Sequence, residues 1–526
     1  MKGKTTKTLL LLCALSAFLS AAAPHHAFAA QDLDARLREI AAEYEGRPAE
    51  AAGVLDAGIV AKSDDVLIGE GDWVALARRY ENMYVSGDIR QAPSAQRLAS
   101  WWNSLGDDVL THLIFISLQN NRDLEVARSR VNEARAALGV SKADLLPWLD
   151  SVNSWTNADG SDNSTAPGSA NIYRLGIDAS WEIDIFGGQR QKVRAAEGDL
   201  AAAYADLHNA WVSLSSEVAL NYLNLRTLQA RLDIARQNLS LQTDTLELLQ
   251  SQYDSGLTDA LALNQAKYTV EQTKATIPPL QEGIETSMNA LAILCGTVPG
   301  SLEELLGKAL PIPQVDPANL VGIPAEALRR RPDIQSAEMQ LLAQTARKKS
   351  AKTDLYPKLN LIGSIGLESL STGSLFSSDS YGFSFGPRIT WPIFHGGAIR
   401  KNIEVQTARE EQLLAAYEGT VLRAVAEVRN ALAADTQERQ RNEALRRGVE
   451  AARTAVDVAE DKYRNGLSDF NNVISAQAAL LSLQDQYMTS EGQLTSNVVQ
   501  LFKALGGGWE PLMELDAGTR QTSQQR

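Results

Sequence analysis

The stretch YGFSFGPRITWPIFHGG, residues 381–397, has the alternating pattern of a β-strand and ends in two glycines. Alternate positions across most of it are apolar, namely Tyr381, Phe383, Phe385, Ile389, Trp391 and Ile393. Side chains with a period of two point to one face of a β-strand. Gly396 and Gly397 end the alternation, and a helical spacing of threes and fours follows. The stretch therefore predicts a strand that leads into a helix.

A second strand pattern lies just upstream, which predicts a hairpin. Its alternating positions are Leu359, Leu361, Gly363, Ile365 and Leu367, and a loop rich in Ser, Gly and Asp separates it from the first pattern. A weaker pair of runs occurs earlier, around Trp148, Val152 and Trp155 and then from Tyr173 to Ile183. The sequence thus predicts strand hairpins at about 146–186 and 357–394.

The two hairpins belong to a duplicated unit. Tyr-x-x-Gly-Leu segments end at Leu257 and Leu467, 210 residues apart. Other matches at this offset are Leu118 with Leu328, Asp123 with Asp333, Pro147 with Pro357, Trp181 with Trp391, Glu217 with Glu427 and Gly296 with Gly506. The double glycines Gly187-Gly188 and Gly396-Gly397 lie 209 apart, which predicts a one-residue difference in the preceding turn. So many agreements at one spacing, called the repeat offset below, indicate two copies of one unit.

Each copy continues from its double glycine into a very long helix. Residues 189–253 contain no proline, and their apolar positions recur about every 3.5 residues, the period of a coiled coil. The same spacing resumes over residues 263–284, which predicts a second helix that runs back antiparallel. Pro278-Pro279 should kink or break this returning helix in the first copy only. A shorter helix opens each copy, predicted over residues 109–142 and 324–352.

The composition excludes several classes of protein. The chain has 526 residues, 44% hydrophobic and 22% charged, with a mean hydropathy of −0.19. These values fit neither a disordered chain nor a polytopic helical membrane protein. Two cysteines and five histidines leave no material for a disulfide scaffold and little for a metal cluster, so no cofactor is expected. A net charge of −14 argues against nucleic acid as a partner, because phosphate binding needs a basic surface.

The N-terminal segment, positions 1–29, has the form of a secretory signal peptide. Three lysines precede an apolar run, and Ala27-Phe28-Ala29 has the small-x-small pattern of a cleavage site. Cys13 could instead be a lipidation site, but Leu12 stands where a small residue is normally needed. The remaining predicted segments are an N-terminal extension of unknown role at 30–100, repeat 1 at 101–300 with its helical hairpin at about 189–295, a linker at 301–323, repeat 2 at 324–510 with its helical hairpin at about 398–505, and a flexible tail at 511–526.

Two strand hairpins give four strands, and four strands cannot close a barrel. After the signal no apolar run is long enough for a spanning helix, so entry into a membrane would require strands. Because a sheet edge exposed to lipid is costly, such a chain must oligomerise. Natural barrels have about eight strands or more, so two chains would supply the minimum and three chains would supply twelve. Aromatic residues near the strand ends suit either an interfacial girdle or ordinary core packing. They are Trp148, Trp181, Phe186, Trp391 and Phe394.

Several segments together carry a resemblance to a known family. They are Trp101-Trp102, LQNNRDL at 118–124, IPPL at 277–280, NALAILCG at 289–296, GIPAEALRRRPDI at 322–334, and WPIF at 391–394 with its double glycine. These residues resemble the TolC-like outer-membrane factors of bacterial efflux systems, in the branch that serves resistance-nodulation-division pumps. The resemblance implies a mainly α fold with a membrane β-barrel: a homotrimer with a twelve-stranded barrel in the outer membrane and a long α-helical tunnel in the periplasm.

The same resemblance implies partners and an internal layer. Such channels dock onto a periplasmic adaptor protein and, through it, an inner-membrane pump, and they export small molecules. Their barrel contacts outer-membrane lipid. An equatorial layer around mid-tunnel would collect the short helices, the linker and the C-terminal region.

The resemblance also assigns roles to the turns between the long helices. The residues that match the family's hairpin tips, which form the periplasmic entrance and meet the adaptor, are Tyr253, Gly256, Leu257, Tyr463, Gly466 and Leu467. Relatives carry acidic rings just after the second tip glycine, where this chain has Asn472 and Ser475. Asp259 and Asp469 are candidate substitutes in a periplasmic gate, since a ring of aspartates would repel itself and attract cations. A solvated turn aspartate is the alternative for each.

The sequence also bears on functions other than an efflux exit duct. The sequence has no phosphate loop, no Gly-x-Ser-x-Gly elbow and no His-Glu-x-x-His motif, and His112, His208 and His395 are dispersed, so no enzyme is expected. A type I protein-secretion duct or a porin-like passive pore stays open, because the tube is shared while the pump decides the cargo. A structural coiled-coil envelope protein also stays open, although it leaves the strand hairpins unexplained.

Overall fold

The computed structural model describes residues 101–160, 168–314 and 330–508. These residues all belong to one compact unit, Leu76–Arg526, and the other unit, Met1–Ala75, lies outside them. The predicted signal peptide, N-terminal extension and tail also lie outside the described residues, as do the later part of the linker and the predicted helix start at 324.

Both copies have the predicted order of a short helix, a strand hairpin and a long helical hairpin. After a 3₁₀ turn at Trp101–Leu105, the first copy contains α1 (Asp108–Asn120), α2 (Arg122–Ala143), β1 (Trp148–Gly160), β2 (Gly168–Ile183), α3 (Gly188–Asp254) and α4 (Ala260–Leu294). A one-turn helix α5 (Glu303–Leu306) follows. The second copy contains α6 (Pro332–Thr353), β3 (Lys358–Ser369), β4 (Tyr381–Thr390), α7 (Ala398–Arg464) and α8 (Phe470–Ala504).

The bounds of the long helices keep the repeat offset without a slip. Helices α3 and α7 each have 67 residues, and α4 and α8 each have 35. Gly187 and Gly397 occupy the same N-cap position, with φ of 79° and 84°. The predicted one-residue difference before the double glycines is therefore wrong. Gly187 and Gly397 both have the left-handed backbone that glycine favours, so they are equivalent positions in the two copies. Gly396 is then the equivalent of Phe186.

The single helix predicted over residues 109–142 is two helices, with a break at Asn121. The backbone of Asn121 is extended, and its side-chain oxygen accepts hydrogen bonds from two N–H groups in the first turn of α2. Its amide nitrogen donates to the carbonyl oxygen of Leu294 at 3.0 Å. The counterpart Arg331 is also an extended N-cap, and its guanidinium donates to the carbonyl oxygen of Ala504 at 2.7 Å. Each short helix is thus anchored at its start to the end of a returning helix.

Helix α4 runs through Pro278 and Pro279 without a break. Both prolines are exposed, and so are Lys274 and Ala275, whose carbonyl groups lose their helical partners to the two prolines. Water can satisfy carbonyl groups at such a position, which is why the helix tolerates the pair.

The strands form one antiparallel sheet in the order β1-β2-β3-β4. Strands from different copies meet at its centre, where Ile177 of β2 lies opposite Ile365 of β3. Strands β1 and β4 are consequently its two edges, and the outer backbone groups of each have no strand partner among the described residues.

The register divides the sheet into an apolar and a polar face. Ile365 lies opposite Phe383, and Leu359 lies opposite Ile389, so the apolar positions of the stretch at 381–391 continue across β3. The other face pairs Asp150 with Asp178, Arg174 with Glu368, Ser364 with Ser384 and Asn360 with Arg388. Phe383, Phe385 and Ile389 are exposed in the single chain. An exposed apolar face of this kind indicates a surface that a membrane or another protein chain covers.

The largest buried cluster surrounds the middle of α3. Trp211, Val218 and Tyr222 are covered there by the 3₁₀ turn, α1, α5 and the end of α8. Trp101 stacks on Phe502, with 5.5 Å between the ring centroids. The short elements and the C-terminal region therefore gather at one level of the long helix, as the resemblance implied for an equatorial layer.

The long helices carry charged side chains along their whole length. Across the described ranges, none of the helices combines the length and the apolar character needed to span a membrane. The same ranges contain no group of three or more His, Cys, Asp or Glu side chains placed to hold a metal ion.

Candidate functional site

The long hairpins reverse at two matching turns, residues 252–260 and 462–470, called the hairpin tips below. Gly256 and Gly466 have φ of 72° and 69°. The N–H of Gly256 donates to the carbonyl oxygen of Tyr253 at 2.9 Å, and the next N–H donates to that of Gln252 at 2.8 Å. The same two bonds close the second tip. This is the Schellman arrangement, in which one residue with positive φ lets the helix end satisfy its last carbonyl groups.

Apolar side chains protrude from both tips. Leu257 and Leu467, which follow the tip glycines, are 78% and 77% exposed. Tyr253 is also exposed, and a Cβ on either tip glycine would meet no atom within 4 Å. The tips therefore offer matching apolar surfaces that nothing in the described chain covers.

Among the described residues, a hydrogen bond and a small apolar cluster join the two tips. The hydroxyl of Tyr463 donates to Oε1 of Gln252 at 2.9 Å, and its ring packs edge-on against Phe470 with 5.2 Å between centroids. Leu249 and Val473 belong to the small apolar cluster around these rings. Further up the hairpins, Arg231 forms a bidentate ion pair with Asp485, at 2.6 and 3.1 Å. Sequence reasoning missed these partners, because no local pattern pairs residues that are so far apart along the chain.

The gate candidates lie at the starts of α4 and α8. Asp259 caps α4, since its carboxylate accepts the N–H of Ala262 at 2.9 Å. Asp469 holds the same position before α8, but its exposed carboxylate makes no cap hydrogen bond. The side-chain amide of Asn472 donates to the hydroxyl of Ser468 at 2.7 Å, and Ser475 is exposed. Asp259 thus has a structural role, whereas no described residue forms a hydrogen bond or an ion pair with the Asp469 carboxylate.

Two of the girdle candidates occupy equivalent places at the helix end of the sheet. The indole N–H of Trp181 donates to the carbonyl oxygen of Leu145 at 2.9 Å, and that of Trp391 donates to Leu355 at 3.1 Å. Each ring ties the end of a strand to the turn that follows a short helix. An apolar ring with one satisfied polar atom suits a boundary between an apolar and a wet region.

The other three girdle candidates are not equivalent. Phe186 stacks on Tyr356 with 4.9 Å between centroids, and Phe394 is almost fully exposed. Trp148 lies opposite Ser180, so it shares the polar face of the sheet and not the face of Trp181. A girdle on one face therefore cannot include Trp148, because a shift of one residue along a strand reverses the side.

Opposite charges hold the start of α6. Burial disfavours the charge on Arg331, but the carboxylates of Asp333 and Glu427 outweigh that effect and raise the pKa of its guanidinium above the usual value. This cation also binds the carbonyl group at the end of α8, so it fixes the second copy at the level of the equatorial layer.

The family match follows the duplicated unit. A family model described as outer membrane efflux protein matches residues 113–297 and again residues 323–507. The chain belongs to the outer membrane efflux protein family. The two matched segments are separated by the repeat offset, as are the bounds of the long helices.

Individual relatives agree with this family. The solvent efflux pump outer membrane protein SrpC of Pseudomonas putida is 31% identical over 407 residues, which are 77% of this chain and 86% of that protein. The pyoverdine export outer membrane protein OpmQ of Pseudomonas aeruginosa is 30% identical over 461 residues, 85% of this chain and 93% of that protein. The solved outer-membrane channel OprN superposes with a TM-score of 0.75 at 32% identity and covers 81% of this chain and 99% of its own.

These likenesses confirm the main predictions from the sequence. This outer membrane efflux protein has the TolC-like fold of strand hairpins and long antiparallel helices, it is located in the outer membrane, and it serves as the exit duct of an efflux system. Members of the family are channel and efflux proteins, not enzymes.

Proposed function

We propose that this outer membrane efflux protein works as a homotrimer that passes small molecules from a periplasmic adaptor protein and an inner-membrane pump to the exterior. The unclosed sheet carries this proposal. Strands β1 and β4 run in opposite directions and leave their outer edges unpaired among the described residues. In hydrocarbon an unpaired strand edge is too costly, so β4 of one chain would pair with β1 of the next chain. Three chains would make a barrel of twelve strands.

The two faces of the sheet support this arrangement. The apolar face would contact outer-membrane lipid, and the polar face would line the pore. Trp181 and Trp391, with Phe186 and Phe394, would form the aromatic girdle at the end of the sheet nearest the helices. The indole N–H groups of the two tryptophans already donate hydrogen bonds there, and the phenylalanine rings have no polar atom.

The hairpin tips would form the periplasmic entrance and the adaptor contact. Leu257 and Leu467 supply matching apolar contacts, while Gly256, Gly466 and the tyrosines Tyr253 and Tyr463 set the shape of each turn. Three chains would bring three Asp469 carboxylates into one ring, with Asn472 and Ser475 in the first two turns of α8. Asp469 is the stronger gate candidate, because Asp259 is already engaged as a helix cap.

The cargo is set elsewhere in the assembly. The relatives SrpC and OpmQ are named for solvent efflux and pyoverdine export, two unlike cargos served by one kind of duct. We accordingly propose small molecules as cargo, selected by the pump, with no catalytic activity, cofactor or nucleic-acid partner in this chain.

The test is the native mass and location of the mature protein. Inner and outer membranes are separated, the protein is extracted in detergent, and its mass is measured by light scattering, with N-terminal sequencing expected to begin near Ala30. Loss of dye and drug export in a deletion strain, restored by the wild-type chain, would establish the cargo class. A monomer in the soluble fraction would contradict the trimer, and loss of a secreted protein with dye export intact would favour a protein-secretion duct.

A further inference from the structure

We infer that a group of exposed cations at the helical end of the sheet binds the anionic headgroups of phospholipids in the periplasmic leaflet of the outer membrane. The inference rests on the proposed barrel, and it adds the class of lipid that the barrel selects. The residues of this group, called the basic collar below, are Lys192, Arg194, Lys349, Lys352 and Arg400.

Cations are concentrated at the helical end of the sheet, although the whole chain is acidic. Eleven residues adjoin each strand on that side, and the four segments are 137–147, 184–194, 347–357 and 391–401. Together they contain ten Lys or Arg and three Asp or Glu, whereas the whole chain has 50 basic and 64 acidic residues. The segments that connect the paired strands, 161–167 and 370–380, contain no Lys or Arg. The positive charge therefore marks one end of the sheet and does not follow from the overall composition.

Ion pairs within the chain neutralise only half of these ten cations. The pairs are Lys142 with Glu197, Arg190 with Asp184, Arg347 with Asp199, Lys348 with Glu410 and Lys401 with Glu404. The other five cations are the basic collar. All five are exposed, and none has an ion-pair partner among the residues that the structure describes. Asp354 is paired with Lys358, so it does not neutralise the collar. These five charges are available to an external anion.

The basic collar lies at the depth of a headgroup layer. Each of its residues is within six positions of the helix end that adjoins the sheet, which is about 9 Å at most. The headgroups extend a bilayer by roughly 5–7 Å on each side of its hydrocarbon core, and long basic side chains can reach across the difference. Between the sheet and Arg400 lie the apolar side chains of Ile393 and Phe394, both 87% exposed. An apolar zone followed by cations matches the order of a lipid tail and its headgroup.

The two copies show how an anion is held at this level. In the first copy the Asp184 carboxylate accepts the N–H groups of Gln189 and Arg190 at 3.2 and 2.9 Å, and it accepts the Arg190 guanidinium at 3.2 Å. In the second copy Arg400 is the counterpart of Arg190, but Phe394 replaces Asp184. Helix α7 therefore begins without a side-chain cap and without an acidic residue in its first turn. A lipid phosphate can take the place there that Asp184 has in the first copy.

Charge and position together favour an anionic phospholipid as the occupant. A soluble anion would contact the cations of the collar but would leave the apolar zone beside them uncovered. A zwitterionic phospholipid would cover the apolar zone but would bring no net charge to the collar. Only a lipid with a negative headgroup satisfies both parts of the surface.

The test measures the lipid selectivity of the purified full-length trimer in bilayers of phosphatidylcholine. Spin-labelled phosphatidylglycerol and spin-labelled phosphatidylcholine are the two probes, and the motionally restricted fraction of each reports its association with the protein. Phosphatidylglycerol should associate more strongly, and this preference should shrink as salt is added. One Lys or Arg near an anionic surface changes binding by up to roughly fivefold, so removing three charges should abolish most of the preference.

The collar variant and its control remove the same charge from different places. The collar variant combines Lys192→Gln, Arg194→Gln and Arg400→Gln. The control combines Arg236→Gln, Lys267→Gln and Arg453→Gln, whose side chains are also exposed and have no ion-pair partner in the described part of the chain. These three positions lie further along the helical hairpins, away from the sheet. The control should keep the preference for phosphatidylglycerol. Arg400→Gln alone should lower it, whereas Arg400→Lys should retain most of it.

The outcomes separate lipid selection from the proposed function. Equal association of the two probes with the wild-type trimer would overturn the inference, and so would an equal loss of preference in the collar variant and the control. Either result, obtained on a protein that is trimeric by light scattering, would leave the proposed function standing. A wild-type chain that is monomeric in detergent would contradict the proposed function itself. If the triple variant does not assemble, the single variants of Arg400 decide the question, and an unchanged preference in Arg400→Gln would then overturn the inference.

Discussion

The phenol of Tyr463 in the second hairpin tip donates a hydrogen bond to the side-chain oxygen of Gln252 in the first, at 2.9 Å. Its counterpart Tyr253 is exposed, and within the described residues its hydroxyl makes no hydrogen bond. Among the described residues, only one of the two tip tyrosines therefore links the tips by a hydrogen bond. Any widening of the proposed periplasmic entrance that separates the tips would have to break this bond.

Removing this hydroxyl should favour the open entrance. A hydrogen bond of this kind contributes about 1 kcal/mol, so Tyr463→Phe should shift the closed-to-open equilibrium toward open by roughly fivefold for each chain of the channel. Single-channel conductance of the purified protein in planar bilayers measures the shift. Tyr253→Phe is the matched control, because the hydroxyl it removes is unbonded in the described chain. Equal effects of the two substitutions would show that the Tyr463 bond does not restrain the entrance.

The tip glycines should be needed for export and not for assembly. Gly256→Val and Gly466→Val force a β-branched residue into positive φ, at a cost of roughly 1–3 kcal/mol per position, so the turns should lose their shape. Dye efflux from cells should fall while trimer yield stays constant. Gly256→Asn is the control, because asparagine tolerates this backbone and a Cβ there meets no atom within 4 Å. Normal efflux from the double valine variant would refute the assignment of these turns.

Lysine on the apolar face of the sheet should block assembly in proportion to depth. Phe385→Lys should cost roughly 2–4 kcal/mol near the bilayer midplane, and Ile389→Lys should cost less because it lies closer to the Trp391 end. The yield of heat-resistant trimer in outer membranes measures the loss. Ser384→Lys is the control on the polar face, where Ser384 bonds to Ser364 at 2.8 Å. A larger loss from Ser384→Lys than from Phe385→Lys would mean that the polar face contacts lipid.

Two glycines inside helices should respond to alanine in opposite directions. Gly198→Ala places a methyl group 2.9 Å from Ala343, so overpacking should destabilise the protein by roughly 1–3 kcal/mol. Gly139→Ala adds a methyl group where no atom lies within 4 Å and should stabilise α2 by about 0.5–1 kcal/mol. Thermal unfolding in detergent, followed by circular dichroism, compares the two variants. A stabilising Gly198→Ala would show that α6 and α3 are not in close contact.

Cys295 should stay unreactive until the protein unfolds. Burial raises the pKa of its thiol to about 11, and its sulfur lies 3.7 Å from the carbonyl oxygen of Leu113. Since the raised pKa disfavours the thiolate in the folded state, this group stabilises the fold fully below pH 9 and loses that contribution as the pH rises from 9.0 toward about 11. Maleimide labelling at neutral pH, mapped by mass spectrometry, should detect Cys295 only in denaturant, whereas the exposed control Ser475→Cys should label at once. Rapid labelling of Cys295 in the native trimer would contradict its burial.

Much of the architecture follows from local patterns. A period of two placed the strands, a period of about 3.5 placed the long helices, and the repeat placed both copies in the same order. The tip glycines stand where the helical spacing is interrupted, and glycine suits such a reversal because it accepts positive φ, but their role as tips came from the resemblance. Each of these features depends on neighbours within one or two turns, so the sequence alone determines it.

Packing over long distances decided the remaining features. The helix pattern continues across Asn121, and the break there is held by its capping of α2 together with its amide contact with Leu294. Trp148 is an aromatic residue near a strand end, as a girdle residue would be. Successive residues of a strand point to opposite faces of the sheet, and the register puts Trp148 on the polar face. The sequence by itself determined the elements and their repeat, because their periods are local. Only the tertiary structure decided which residues meet, such as Tyr463 with Gln252, because those pairs form between helices brought side by side.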